Sequence, residues 1–119
     1  MIHINIEFYT TADGKEVVAD FLDSLYRQNS KLHAKSLREF DLLASCGTEL
    51  REPHVKHIEG EIWELRVKFS TDITRLFYFV WQNDTAVILH GFVKKTQKTP
   101  RAEITIANKR LADYKKRHR

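Results

Sequence analysis

The stretch from Glu61 to Pro100, EIWELRVKFSTDITRLFYFVWQNDTAVILHGFVKKTQKTP, constrains the fold more than any other part of the chain. In Ile62 to Phe69, Trp63, Leu65, Val67 and Phe69 alternate with Ile62, Glu64, Arg66 and Lys68, which predicts a strand with one buried and one wetter face. Glu64 is read with Glu59 and Glu61 as solvated or paired to Arg66 and Lys68. After the turn signal Ser70-Thr71-Asp72, Ile73 to Trp81 is almost wholly β-branched and aromatic, with Arg75 as its only charge. That pattern predicts a central strand covered on both faces, the most buried element of the chain. Gln82-Asn83-Asp84-Thr85 reads as a hairpin turn into a third strand, Ala86 to Phe92. Lys94, Lys95 and Lys98 follow, so cations gather at one end of an antiparallel meander.

Such a sheet needs helices on at least one face, and the flanking sequence supplies them. Ile2, Ile4, Ile6 and Phe8 alternate with polar neighbours and predict a first strand that joins the sheet. Val17, Val18, Phe21, Leu22 and Leu25 recur at helical spacing. Asn29-Ser30 breaks that helix and caps a second, in which Leu37, Phe40, Leu43 and Ala44 mark the buried stripe and Gly47 supplies the stop. Pro53 argues against helix, and Val55 to Ile58 reads as a short strand. Thr99 is expected to cap a final helix with Pro100 at its first position and Ile104, Ala107, Leu111 and Tyr114 along its apolar stripe. The expected architecture is α+β: a mainly antiparallel sheet of four to five strands, an N-terminal helical hairpin packed on it, and a C-terminal helix. With 119 residues, 1–119 are expected to form a single domain.

The formal charge of +4 conceals an asymmetry. From Lys94 onward, ten Lys or Arg stand against Glu103 and Asp113, net +8, whereas residues 1–93 carry ten basic and fourteen acidic side chains, net −4. A cationic segment on a near-neutral body suits a polyanion such as RNA, because each neutralised phosphate releases counterions; it equally suits a solvated basic helix. No apolar run approaches a membrane span and no signal sequence precedes the first strand, so a cytoplasmic location is expected, with Cys46 a reduced, structural thiol. His54 and His57 lack partners at metal-ligand spacing, and there is no phosphate-binding glycine loop or nucleophile elbow. No metal and no cofactor are expected.

What remains is a set of fixed positive charges, Arg66, Arg75, Lys94, Lys95 and Lys98, with His57 and His90 as titrating neighbours. Phosphodiester cleavage suits such a set, since the 2′-hydroxyl of RNA can attack its own adjacent phosphorus once it is aligned and the developing charge is neutralised. Arginine grips two phosphate oxygens, and a lysine of depressed pKa serves as acid or base. An edge arginine and an ordinary polar loop remain the alternative.

IWELR at Ile62 to Arg66, the strand carrying Arg75, and HGFVKKTQKTPRAEI from His90 to Ile104 resemble the RelE/HigB toxins of bacterial type II toxin–antitoxin modules, in particular the phage-derived HigB-like branch. The resemblance runs over nearly the whole chain and implies a RelE-like domain. It further implies a ribosome-dependent endoribonuclease, an mRNA interferase, that inhibits translation by cutting mRNA in the decoding site. The implied partners are the bacterial ribosome, its mRNA and a cognate helix-turn-helix antitoxin of the HigA type. Arg66, Arg75, Lys94, Lys95, Lys98 and His90 are the candidate catalytic residues; Lys68, Arg101, Lys109, Arg110, Lys115 and Lys116 are the candidate RNA- and ribosome-binding residues. RelE places a catalytic tyrosine in a short C-terminal segment, whereas this chain continues into a helix with Tyr114 far along it, which leaves Lys98, His90 or His57 as the base. Two rival classes share the pattern: a ParE-like gyrase poison on the same superfold, and a non-catalytic RNA-binding or phage accessory domain that uses the basic arm alone.

Overall fold

A computed structural model describes residues 3–94 and 98–118. Its elements run β1 (Asn5–Phe8), α1 (Val17–Gln28), α2 (Ser30–Cys46), a 3-10 turn (Gly47–Glu49), β2 (Val55–Glu59), β3 (Ile62–Phe69), β4 (Asp72–Trp81), β5 (Thr85–Lys94) and α3 (Arg101–Arg117). The five strands form one sheet in the order β1-β5-β4-β3-β2, antiparallel except for β1, which lies parallel to β5. This is the α+β architecture the periodicities predict, with the central place going to the least polar strand: β4 is buried from Ile73 to Phe79.

Local chemistry sets several boundaries. The Asn29 side chain accepts the N–H of Leu32 and so caps α2. Gly47 ends α2 at φ 58°, a conformation that favours glycine. In the turn between β4 and β5, Gln82 and Asn83 both take positive φ, the twist that suits a tight hairpin.

Alternation along β5 separates the two faces. A Cβ on Gly91 would lie 2.7 Å from Phe21 of α1, whereas His90 meets Glu103 and Arg110 of α3. The helical hairpin therefore covers one face and α3 the other. Registers put Glu64, Arg66, Arg75, Phe77, His90, Phe92 and Lys94 on the α3 face.

Three expectations need correction. Strand β3 does not divide into a dry and a wet side: Ile62 and Glu64 are fully buried, Trp63 is 38% exposed, and the α3 face opens only toward Arg66 and Lys68. The α2 stripe is Leu32, Ser36, Phe40 and Leu43, and Leu37 is 42% exposed, because the hairpin is rotated to bury the side of α2 that meets α1 and β3. Pro100, not Thr99, precedes the first turn of α3 and supplies no side-chain cap; the Thr99 hydroxyl points back to Glu64. Among the described residues, no helix is long and apolar enough to cross a membrane. Cys46 is a free thiol packed against the core.

Candidate functional site

The site is built around a carboxylate. Glu64 has no solvent exposure, and its Oε1 accepts from Arg75 Nη1 at 2.7 Å, while Arg66 Nε lies 3.4 Å away. Register explains the meeting: Arg66 and Arg75 are direct cross-strand partners, and Glu64 lies one same-face position from Arg66. The Thr99 hydroxyl, entering from the loop before α3, reaches Glu64 Oε2 at 3.4 Å. Burying a carboxylate is tolerated here because a guanidinium is buried against it.

Positive charge exceeds negative around this pair. Lys94 lies beside Ile73, diagonal to Arg75 on the same face, and is 9% exposed. Its Nζ has no hydrogen-bond partner among the described residues. Burial, with the Arg75 and Lys98 charges, pulls the Lys94 pKa below the usual lysine range, and Glu64 and Glu103 oppose that only in part. Arg66 is half-buried and Lys98 is exposed, so the cluster grades from a sealed Glu64–Arg75 pair to an open cationic rim.

The structure thus brings Arg66, Arg75 and Lys94 together, with Lys98 beyond them. Lys95 lies outside the described residues. Arg75 is 2% exposed and forms the back wall of the site, with Arg66 nearer its mouth. His90 sits one row away from Arg75, stacked on Phe92 with Nε2 on Glu103 and Nδ1 accepting from Arg110. Burial lowers its pKa, and the Glu103 carboxylate opposes the shift. Both ring nitrogens are engaged, which makes His90 a wall of the site and a poor proton carrier. His57 is exposed on the opposite face against Trp63, donating to or accepting from no member of the cluster. Tyr114 is packed under Phe79 and Trp81, where burial raises its pKa.

The basic residues of α3 divide into two groups. Arg101 clasps both oxygens of Glu59, Lys115 pairs with Glu61, and Arg110 donates to the Leu89 carbonyl at 2.8 Å. Farther along, Tyr9 donates to Asp113 at 2.5 Å and Arg117 bonds both Asp113 and the Thr10 carbonyl. These contacts clamp α3 to the sheet. Lys109 and Lys116 are exposed and form no ion pair among the described residues, and Lys68 is exposed at the open end of β3.

Sequence reasoning took Glu64 as solvated or paired to Arg66 and Lys68 and Thr99 as a helix cap, and placed neither in the site. The available signal was an acid on the same strand face as Arg66 and adjacent to an all-apolar strand carrying one arginine. Among the described residues, no cluster of three His, Cys, Asp or Glu could hold a metal ion. Residues 20–112 match the model of a family described as Phage derived protein Gp49-like (DUF891). No curated protein matches the chain.

Proposed function

Since the chain belongs to the Gp49-like family of phage-derived proteins, a family related to RelE-like toxins, we propose that it is the toxin of a type II toxin–antitoxin module and cleaves mRNA on the translating ribosome. The observation that carries this reading is the buried Lys94 ammonium, set beside Arg75 in a cluster whose cations exceed its carboxylates and whose rim is open at Arg66 and Lys98. A phosphodiester is the anion such a cluster suits.

In this reading Arg66 holds the scissile phosphate, and Arg75, fixed by Glu64, places a second positive charge behind it. The neutral amine of Lys94, made accessible by its lowered pKa, takes the proton of the 2′-hydroxyl. The 2′-oxygen forms a bond to phosphorus as the bond to the 5′-oxygen breaks, and Lys98 gives that oxygen a proton. The products are a 2′,3′-cyclic phosphate and a 5′-hydroxyl. Lys95 belongs to the same proposed set, and a HigA-type helix-turn-helix antitoxin is the proposed inhibitor.

The test is single-turnover cleavage on programmed ribosomes, together with growth on expression with and without the neighbouring antitoxin gene. Arg66→Ala should lower cleavage roughly a hundredfold, the scale of losing one preorganised contact to the developing charge. Lysine at position 66 should rescue only in part, because an ammonium lacks the two-point fit to phosphate. Intact cleavage in Arg66→Ala, or inhibition of DNA supercoiling by a chain that cuts no RNA, overturns the reading.

A further inference from the structure

Beside the charged cluster, past the end of β2, lies a cleft of about 330 Å³ that the proposed mechanism leaves unused. Strand β2 pairs with β3 only as far as Val55 and Leu65, and the Arg66 N–H still reaches the His54 carbonyl at 2.9 Å. Beyond that point α2 stands over the free edge of β3. Val67, Ile73 and Pro53 supply the apolar lining of the cleft, Val67 from the hairpin face of the sheet and Ile73 from the α3 face, so the cleft wraps the edge of β3. Lys35, Arg66 and Lys68 give three positive charges to the rim, against the single carboxylate of Glu39. Arg66 belongs both to this cleft and to the Glu64 cluster.

An open strand edge is often a place for another strand to add. Here the Lys35 ammonium already occupies the Lys68 carbonyl at 2.5 Å, one of the acceptors an incoming strand would use. The cationic rim, the apolar lining and the continuity with Arg66 suit a nucleotide better: its phosphate at Arg66, its base within the cleft at the edge of β3. The volume falls at the lower end of the range for small-ligand sites.

The polar groups also carry a preference. His54 Nδ1 lies 2.8 Å from Glu39 Oε1, and because a carboxylate only accepts, Nδ1 carries the proton and the imidazole fixes the carboxylate in place. A carboxylate at the wall accepts from the exocyclic amino group of guanine, adenine or cytosine, whereas uracil has no amino group and offers only its N3–H, flanked by two carbonyl oxygens that the carboxylate repels. We propose that the cleft between α2 and the free edge of β3 is a nucleobase subsite, flanking the phosphate at Arg66, in which Glu39, held by His54, selects amino-bearing bases over uracil. The proposal deepens the RNA-cleaving reading and rests on it for the identity of the substrate.

Titration of the full chain with the four nucleoside 5′-monophosphates and with inorganic phosphate, followed by the NMR signals of His54, Val67 and Arg66, tests it. The amino-bearing nucleotides should shift His54 and Val67 and bind about tenfold tighter than uridine monophosphate, the scale of one good base contact. Inorganic phosphate should move Arg66 alone. Glu39→Gln, whose amide both donates and accepts, should bring the four nucleotides within about twofold of one another and leave phosphate binding unchanged. His54→Ala, which frees the carboxylate without removing it, should weaken the preference in the same direction and serves where Glu39→Gln does not fold. On ribosomes, the same variants should change the nucleotide distribution beside the cut. Equal binding of uridine monophosphate to the unaltered chain, shifts confined to Arg66, or a peptide that protects the Val67 to Phe69 amides while nucleotides leave His54 unmoved, each overturns the subsite. A chain that selects bases in the titration but cleaves no RNA overturns the proposed reaction and leaves the subsite standing; cleavage indifferent to the neighbouring base does the opposite.

Discussion

The sheet and α3 hold two sets of carboxylate–cation contacts that differ in nearly everything except their chemistry. At one end Glu64 and Arg75 are sealed from water, with Lys94 pressed beside them. Elsewhere, Glu59–Arg101 and Glu61–Lys115 lie partly in solvent and fasten α3 to β2 and the turn after it, while Asp113 and Arg117 pair within α3 and reach Tyr9 and the Thr10 carbonyl. Water screens the second set and makes each pair replaceable; exclusion of water makes the first indispensable once formed and leaves excess positive charge unneutralised. The clamp spends its cations on the protein itself, whereas the sealed pair shares its one carboxylate with Arg66 and sits beside Lys94, whose ammonium has no hydrogen-bond partner among the described residues. The same side-chain types therefore serve attachment in one place and suit anion binding in the other.

The largest effect should come from breaking the sealed pair. Arg75→Ala leaves Glu64 buried without its partner, and Glu64→Ala does the reverse, so each should cost roughly 3–5 kcal/mol in chemical denaturation. Arg75 thus cannot be tested by cleavage alone; if Arg75→Ala unfolds at the same denaturant concentration as the unaltered chain, the pair is not the structural contact its geometry implies. Lys94→Met comes next, and its two readouts should move in opposite directions. Because the Lys94 pKa is lowered on folding, the folded chain binds fewer protons than the unfolded one between the two pKa values, so stability rises with pH through that window and the charged form is a burden below it. Methionine removes the burden and should raise the melting temperature at neutral pH by about 3 °C, while cleavage falls by about a hundredfold. A fall in both would mean that Lys94 is a structural partner.

Smaller effects belong to the clamp. Arg101→Ala should shift melting by only about 1 °C, and less in high salt. Lys109→Glu and Lys116→Glu should each flatten the salt dependence of ribosome binding by about one unit, because these side chains form no ion pair among the described residues, whereas Lys115→Glu should act mainly by loosening α3. Equal slopes for all three would erase the division of α3 into attached and free cations. Acid gives the mildest probe. Arg101 holds the Glu59 carboxyl below its usual range, and Arg117 does the same for Asp113. The stability these groups contribute is present above the ordinary carboxyl range and is lost as pH falls through their lowered values, so the α3 amides should lose exchange protection below about pH 4 before those of β4 do.

Residue spacing by itself determined the strand and helix assignments, the Asn29 cap, the Gly47 stop and the burial of β4, because each of these follows from contacts within a few residues or from a period that one element repeats. It also put Arg66 on the same strand face as Glu64. Tertiary structure alone decided which parts of that face are dry. Period-2 alternation says that Glu64 and Lys68 share a side, but Glu64 is closed off by Arg75 and by Thr99 of the loop before α3 while Lys68 stays exposed. An acid expected to be solvated or paired to Arg66 and Lys68 thus becomes the buried centre of the site, paired to Arg75 and near Arg66. The fate of the α3 cations was likewise beyond local reading: Arg101 and Lys115 find Glu59 and Glu61 more than forty positions back in the chain, and a sum of charges cannot tell a cation held by its own protein from one left for a partner. Sequence spacing fixes which side chains can face one another across a strand pair; the docking of a distant helix decides which of them meet water, and with that whether a charge binds, positions or merely holds.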